Sequence, residues 1–156
     1  WPGPELPMHD GILCSHVMYG IEDILTFVNK LNSHAVKKVV ALSFMESPQA
    51  HLAMIWGKVH GERRIMLPGV PELMSVLWEA DLFPELSVLE ILSPHVYRSP
   101  EHALTDLRSR LYLNRFTDKD RTLVSLLESQ LEEVDGGVSL IRASKRRLCL
   151  IKWETS

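Results

Sequence analysis

The residues of this chain best suited to chemistry are few and scattered. At Cys14-Ser15-His16 a thiol, a hydroxyl and an imidazole close an apolar run. His16 can donate or accept a hydrogen bond, so proton transfer is the chemistry open to it. The plainer reading is a strand-end histidine bonded to backbone. Ser15 is not its catalytic partner, because adjacent strand residues point to opposite faces. Glu46 follows a second apolar run and is either a second group facing the same crevice or a surface acid. Trp56 and His60 stand one helical turn apart and share a face, where they could wall a substrate pocket; Trp56 in the core is the competing reading. Tyr19 could lid the crevice or simply pack. No GxGxxG, Walker, GxSxG or HExxH pattern is present. The histidines do not cluster: His51 and His60 fall on different sides of a helix, and no metal site is expected.

The bulk properties narrow the field. The chain has 156 residues, 46% hydrophobic and 24% charged, with a formal net charge of -3. That balance belongs to a folded globular chain. Lys37-Lys38, Arg63-Arg64 and Lys145-Arg146-Arg147 are too short and dispersed for the concentrated positive face of a nucleic-acid binder. No uncharged stretch, Ile65 to Pro71 included, approaches the ~20 apolar residues of a membrane span. Cys14 and Cys149 sit far apart within apolar runs, which suits buried thiols in a reducing cytoplasm. The Pro-rich start, Trp1 to Met8, has neither the basic nor the apolar region of a signal peptide.

Elements must hold these groups in place. Gly11 to Tyr19 reads as a strand buried on both faces, which places Cys14-Ser15-His16 at its carboxyl end. Ligands of open α/β sheets bind outside such ends. Gly20 to Ala35 carries Ile21, Ile24, Leu25, Val28 and Leu31 at helical spacing, with Glu22 and Asp23 near its start and Asn32-Ser33-His34 at its close. Lys37 to Phe44 is a second buried strand, so the first three elements form a βαβ unit with parallel strands. Helices are predicted over Pro48 to His60 and, after a loop at Gly61 to Gly69, over Glu72 to Ala80 behind Pro71. A strand follows at Leu86 to Leu92. Further helices run from Ser99-Pro100-Glu101 to Leu111, where Arg108 and Arg110 snorkel, and from Asp120 to Val134 behind Thr117 or Asp118. Asp135-Gly136-Gly137 stops the last helix, and Val138 to Trp153 reads as two strands around Ala143-Ser144-Lys145. The order β-α-β-α-α-β-α-α-β-β implies a Rossmann-like three-layer α/β sandwich that gains antiparallel strands at its C-terminal end.

Several segments, in order, resemble a bacterial group of class I S-adenosylmethionine-dependent methyltransferases, over its C-terminal half. The likeness lies in Trp1-Pro2, in Cys14 to Tyr19, in Ile21 to Leu31 with Asp23, Leu25 and Phe27-Val28, and in Lys37-Lys38-Val39-Val40. It continues through Trp56 with His60-Gly61, Pro68, Arg108 to Leu113, and Leu150 to Trp153. The resemblance implies a sheet in the order 3-2-1-4-5-7-6, of which residues 1–156 supply strands 4 to 7. The glycine-rich loop and ribose-binding acid of the family are not in this sequence, so the N-terminal, cofactor-binding half is expected to be absent.

The resemblance further implies that Cys14, Ser15, His16 and Val17 border the methionine end of S-adenosylmethionine. His16 or Glu46 is then the candidate general base, and Tyr19, Trp56 and His60 face a small-molecule acceptor. The expected function is methyl transfer in the full-length parent, with this chain a fragment inactive alone and of little or no cofactor affinity. The alternative is a methyltransferase-like module without catalysis, used for binding or interaction; a doubly wound hydrolase fits least, for want of a nucleophile elbow. No nucleic acid or membrane partner is expected. The unpaired edge at residues 11–19 is a candidate seam for a homo-oligomer.

Overall fold

The structure, a computed structural model, describes residues 7–141 and 146–155. Trp1-Pro2 and the Ala143-Ser144-Lys145 turn lie outside the described residues, as does most of the Trp1 to Met8 segment. The chain divides into two compact units. The first gathers Trp1–Pro48, Leu67–Leu92 and Arg146–Ser156; the second gathers Gln49–Met66 and Ser93–Lys145.

The first unit is a mixed sheet with two helices. Its strands are β1 (His9–Ser15), β2 (Ala35–Phe44), β3 (Glu85–Leu92) and β6 (Arg146–Glu154). They lie in the order β1-β2-β6-β3, with β1 parallel to β2 and β6 antiparallel to both of its neighbours. The parallel pair needs a crossover, and α1 (Ile24–His34) supplies it. The Asp23 carboxylate caps this helix by accepting from the Thr26 N–H at 3.1 Å. No loop follows: Ala35 is at once the residue that caps the helix C-terminus and the first residue of β2.

Alternation decides what the sheet buries. Ile12 and Cys14 on β1 pair with Val39 and Ala41 on β2, which pair in turn with Trp153 and Ile151 on β6. These side chains form one core with Phe27 and Val28 of α1 and with Leu73, Met74 and Leu77 of α3 (Val70–Glu79). Each such aliphatic side chain, fully buried, stabilises the fold by about 1.5–3 kcal/mol. The Trp153 indole N–H donates to Asn32 Oδ1 at 2.7 Å, so the ring's polar edge is also satisfied inside the unit. The opposite face carries Leu13, Val40, Leu42, Leu148 and Leu150, and Leu13 is 67% exposed.

One strand is shorter than its apolar run. The segment expected to be extended from Gly11 to Tyr19 leaves the sheet after Ser15. His16 donates its N–H to Leu42 O at 2.9 Å and then turns with φ 56°, and Met18–Gly20 form a 3₁₀ turn. A left-handed residue ends a strand whatever its hydrophobicity, at a cost of roughly 1–2 kcal/mol for a side chain with a Cβ. Ser15 and His16 therefore do not take opposite faces of the sheet as expected, since only Ser15 is in the strand.

The second unit is mainly helical: α2 (Ala53–His60), α4 (Pro100–Arg110) and α5 (Asp118–Gln130), with a hairpin of β4 (Leu131–Val134) and β5 (Gly137–Leu140). Ser99 and Thr117 cap α4 and α5 through their hydroxyls, accepting from the N–H groups of His102 and Asp120 at 3.2 Å each. Leu52, Ile55, Val59, Leu107, Leu111, Leu123, Leu127 and Leu140 make its core. Arg108 and Arg110 do not merely snorkel. Arg108 grips Asp120 through two bonds of 2.7 and 3.0 Å, and Arg110 pairs with Asp106 at 2.6 Å.

The C-terminal strands also differ from expectation. The last helix was predicted to reach Val134, but it ends at Gln130 because Asp135-Gly136 turns Leu131–Val134 back onto Gly137–Leu140. Asp-Gly between two short apolar runs is a hairpin signal stronger than the helical periodicity it interrupts. The strands predicted around Ala143-Ser144-Lys145 do not pair with each other: β5 pairs with β4, and β6 joins the four-stranded sheet.

Candidate functional site

The carboxyl ends of β1 and β2 carry the candidate site. Tyr19, buried, receives the N–H of Phe44 on its phenolic oxygen at 2.5 Å, and the same oxygen lies 3.1 Å from His16 Nδ1. The β2 backbone thus fixes the phenol, and the phenol fixes the imidazole. The phenolic oxygen can accept from Phe44 and still either donate its proton to Nδ1 or accept one from it. In the second arrangement Nε2 holds a free lone pair, which is the form a general base needs. The His16 ring also rests 4.7 Å from the Phe44 ring, and the Arg146 guanidinium covers Phe44 at 5.2 Å. Ser15 and Val17 flank His16 and are exposed.

Cys14 is different. Its thiol is buried in the core, and burial pushes its pKa up, so the neutral thiol is held. Its side chain packs beneath the site instead of lining it. Glu46, just past β2, is exposed, and its carboxylate makes no hydrogen bond or ion pair among the described residues. Nothing holds it toward His16.

Beside Tyr19 opens a cavity of about 190 Å³ lined by Met18, Tyr19, Ile21, Ser43, Gly69 and Glu72, among others. Glu72 is the third residue of α3, and its Oε2 accepts the Gly69 N–H at 2.8 Å. Gly69 has to be glycine: a Cβ there would stand 2.4 Å from Met45 O. This close approach brings the start of α3 against the end of β2. Sequence reasoning missed Ser43, Gly69 and Glu72. The signals were a serine interrupting the apolar run VVALSF and the Gly-Val-Pro-Glu order of a helix start.

Trp56 and His60 belong to the second unit. Their rings stack at 4.0 Å, the Arg64 guanidinium lies 4.8 Å over Trp56, and Arg64 reaches Gln49 Oε1 at 2.6 Å. His60 Nε2 donates to Leu111 O at 3.0 Å, which leaves Nδ1 to accept from Lys119 at 3.2 Å. Both ring nitrogens are engaged, so His60 serves the unit's packing. Trp56 is half-buried against that unit's core, and its Nε1 finds no partner among the described residues. Among the described residues no three His, Cys, Asp or Glu groups gather to hold a metal ion, and no helix is long and apolar enough to cross a membrane.

No protein-family model and no curated protein matches the chain. A solved structure does: that of a proposed methyltransferase from Bacillus halodurans C-125, at a TM-score of 0.54 and 15% identity. The match covers 98% of this chain and 67% of that one. The fold is therefore methyltransferase-like, a mixed α/β sheet flanked by helices.

Proposed function

We propose that the chain is part of an S-adenosylmethionine-dependent methyltransferase whose acceptor is a small molecule. The observation behind the reading is the fold likeness to the Bacillus halodurans protein over nearly the whole chain. The strand order β1-β2-β6-β3, with β6 antiparallel, is compatible with strands 4-5-7-6 of the family's sheet.

The described residues fit the cofactor in part. Ser15, His16 and Val17 are exposed at the carboxyl end of β1 and would border its methionine end. The Cys14 side chain does not reach outward, and the sequence holds no glycine-rich turn for the adenosine end. When bound, S-adenosylmethionine supplies an electrophilic methyl group. What this chain contributes is placement: Tyr19 orients His16, the cavity beside Tyr19 holds the acceptor, and His16 Nε2 takes a proton where the acceptor must lose one. Glu46 stays a weaker candidate base, since nothing positions its carboxylate.

Calorimetry with S-adenosylhomocysteine tests the cofactor reading. The 156-residue chain should bind weakly or not at all, and a longer form including the sequence upstream of Trp1 should bind at micromolar concentration. A longer form that neither binds it nor transfers labelled methyl groups to any acceptor would leave the non-catalytic interaction module as the better reading.

A further inference from the structure

The cavity beside Tyr19 has a chemical preference of its own. Its polar side chains are two carboxylates, Glu22 and Glu72, and two hydroxyls, Tyr19 and Ser43; Lys, Arg and His are missing from its lining. The remaining walls are apolar, including Met18, Ile24, Leu73 and Val76. Ser43 is 3% exposed, lines the cavity, and makes no side-chain hydrogen bond among the described residues. Its hydroxyl is open to the cavity, where a water or a ligand can meet it. Its position is fixed by the sheet: Ser43 follows Val39 and Ala41 on the core-facing side of β2 and pairs across to Cys149. One oxygen of Glu72 accepts the Gly69 N–H, and the other accepts no bond among the described residues. The volume of about 190 Å³ greatly exceeds the ~10–15 Å³ one water needs.

Glu22 and Glu72 line the cavity while staying exposed, so they attract a positive charge as surface carboxylates do, beside apolar walls and partly screened by water and salt. A protonated amine offers three donors and no acceptor, which matches carboxylate and hydroxyl oxygens that can all accept. We propose that this cavity binds a small aliphatic ammonium group, with Glu72 and Glu22 facing the charge, Ser43 accepting one N–H, and the apolar walls holding a short alkyl tail. This rests on the reading of the cavity as the acceptor pocket only for its role in methyl transfer; the binding itself does not require it.

The test is titration of the ¹⁵N-labelled 156-residue chain with n-butylammonium chloride at pH 7, with n-butanol and sodium butyrate as controls. Saturable shifts at Ser43, Phe44, Gly69 and Val70 with the amine alone are expected. Glu72→Gln keeps the acceptor for Gly69 N–H and should weaken binding about tenfold; Glu22→Gln should weaken it several-fold with the spectrum otherwise unchanged. Equal response to butanol or butyrate would overturn the proposal, as would an amine affinity unmoved by both Gln variants. Amine binding without methylation by a cofactor-loaded longer form would support the site and count against the transferase reading. Methylation of a carboxylate acceptor with no amine binding would do the reverse.

Discussion

The two units are held together by different means. In the first, the ion pairs Lys37–Asp10 and Lys152–Glu85 lie at the surface, where such pairs contribute about 0–1 kcal/mol, and apolar packing between sheet and helices does the rest. In the second, Arg108 and Asp120 are side by side within the fold, and Asp120, 4% exposed, also receives the Phe116 N–H at 2.8 Å. One carboxylate there joins α4, α5 and the turn between them. Local polar bonds thus tie the helices of this unit to one another. The sheet unit leaves the Ser43 hydroxyl without a partner among the described residues, His16 in a left-handed turn and Leu13 open to solvent. The helical unit has open groups as well, since Trp56 Nε1 and Arg64 Nη1 meet no partner among the described residues; what sets the sheet unit apart is that its unpartnered hydroxyl, Ser43, lines a cavity.

Removing Asp120 should have the largest effect. Asp120→Ala strands the Arg108 charge and should cost about 3 kcal/mol, read as an earlier loss of helical signal on urea titration. An unchanged midpoint would erase the contrast between the units. The same pair sets an acid limit. The Arg108 guanidinium first, and the Phe116 N–H with it, lower the Asp120 pKa from its ordinary value. The folded state therefore holds this proton less tightly than the unfolded chain does. The pair's contribution is complete above about pH 4 and is lost as pH falls through the depressed folded value. Acid unfolding followed by circular dichroism should show that loss, and Asp120→Asn should flatten it.

A smaller effect is expected in the sheet unit. Gly69→Ala forces its new methyl group against Met45 O and should cost about 1–3 kcal/mol, with amide shifts at Ser43, Phe44 and Val70. Tyr19→Phe removes a hydroxyl that serves both Phe44 and His16, for about 1 kcal/mol. Its sharper readout is the ¹⁵N shifts of His16, which should move toward a mixture of tautomers. Leu13→Ser should change stability by less than about 0.5 kcal/mol. If the β1 edge is a seam between copies, the same change should lower the apparent mass by size-exclusion chromatography at high concentration.

Much of this arrangement was legible because periodicity and capping act locally. The βαβ start, the helix closing at Asn32-Ser33-His34, and Thr117 and Ser99 as helix starts follow from residues within a turn of one another. The misreadings came where a longer-range fact prevailed. The run from Gly11 to Tyr19 looks uniformly extended, but Tyr19 is drawn back to the Phe44 N–H, and His16 must turn to allow it. Leu131 to Val134 continues a helical pattern, but the Tyr97 and Val138 backbones bond to each other at 2.8 Å both ways and hold the hairpin in place. Gly137 permits that contact: a Cβ there would stand 2.0 Å from Tyr97 O. Of the site, His16 and Tyr19 could be read from their place after an apolar run. Ser43 and Glu72 could not, because they meet only through a chain reversal more than twenty residues long.

The bond between the Trp153 indole and Asn32 also provides a spectroscopic handle. A tryptophan buried in apolar surroundings emits toward the blue, and its emission moves to the red once water reaches the ring. Trp153 sits where β6 meets α1, so its emission reports the sheet unit; Trp56, stacked on His60, belongs to the helical one. Replacing the other tryptophans with phenylalanine gives two single-fluorophore proteins, and their titration curves would show whether the two halves of this chain come apart together or one after the other.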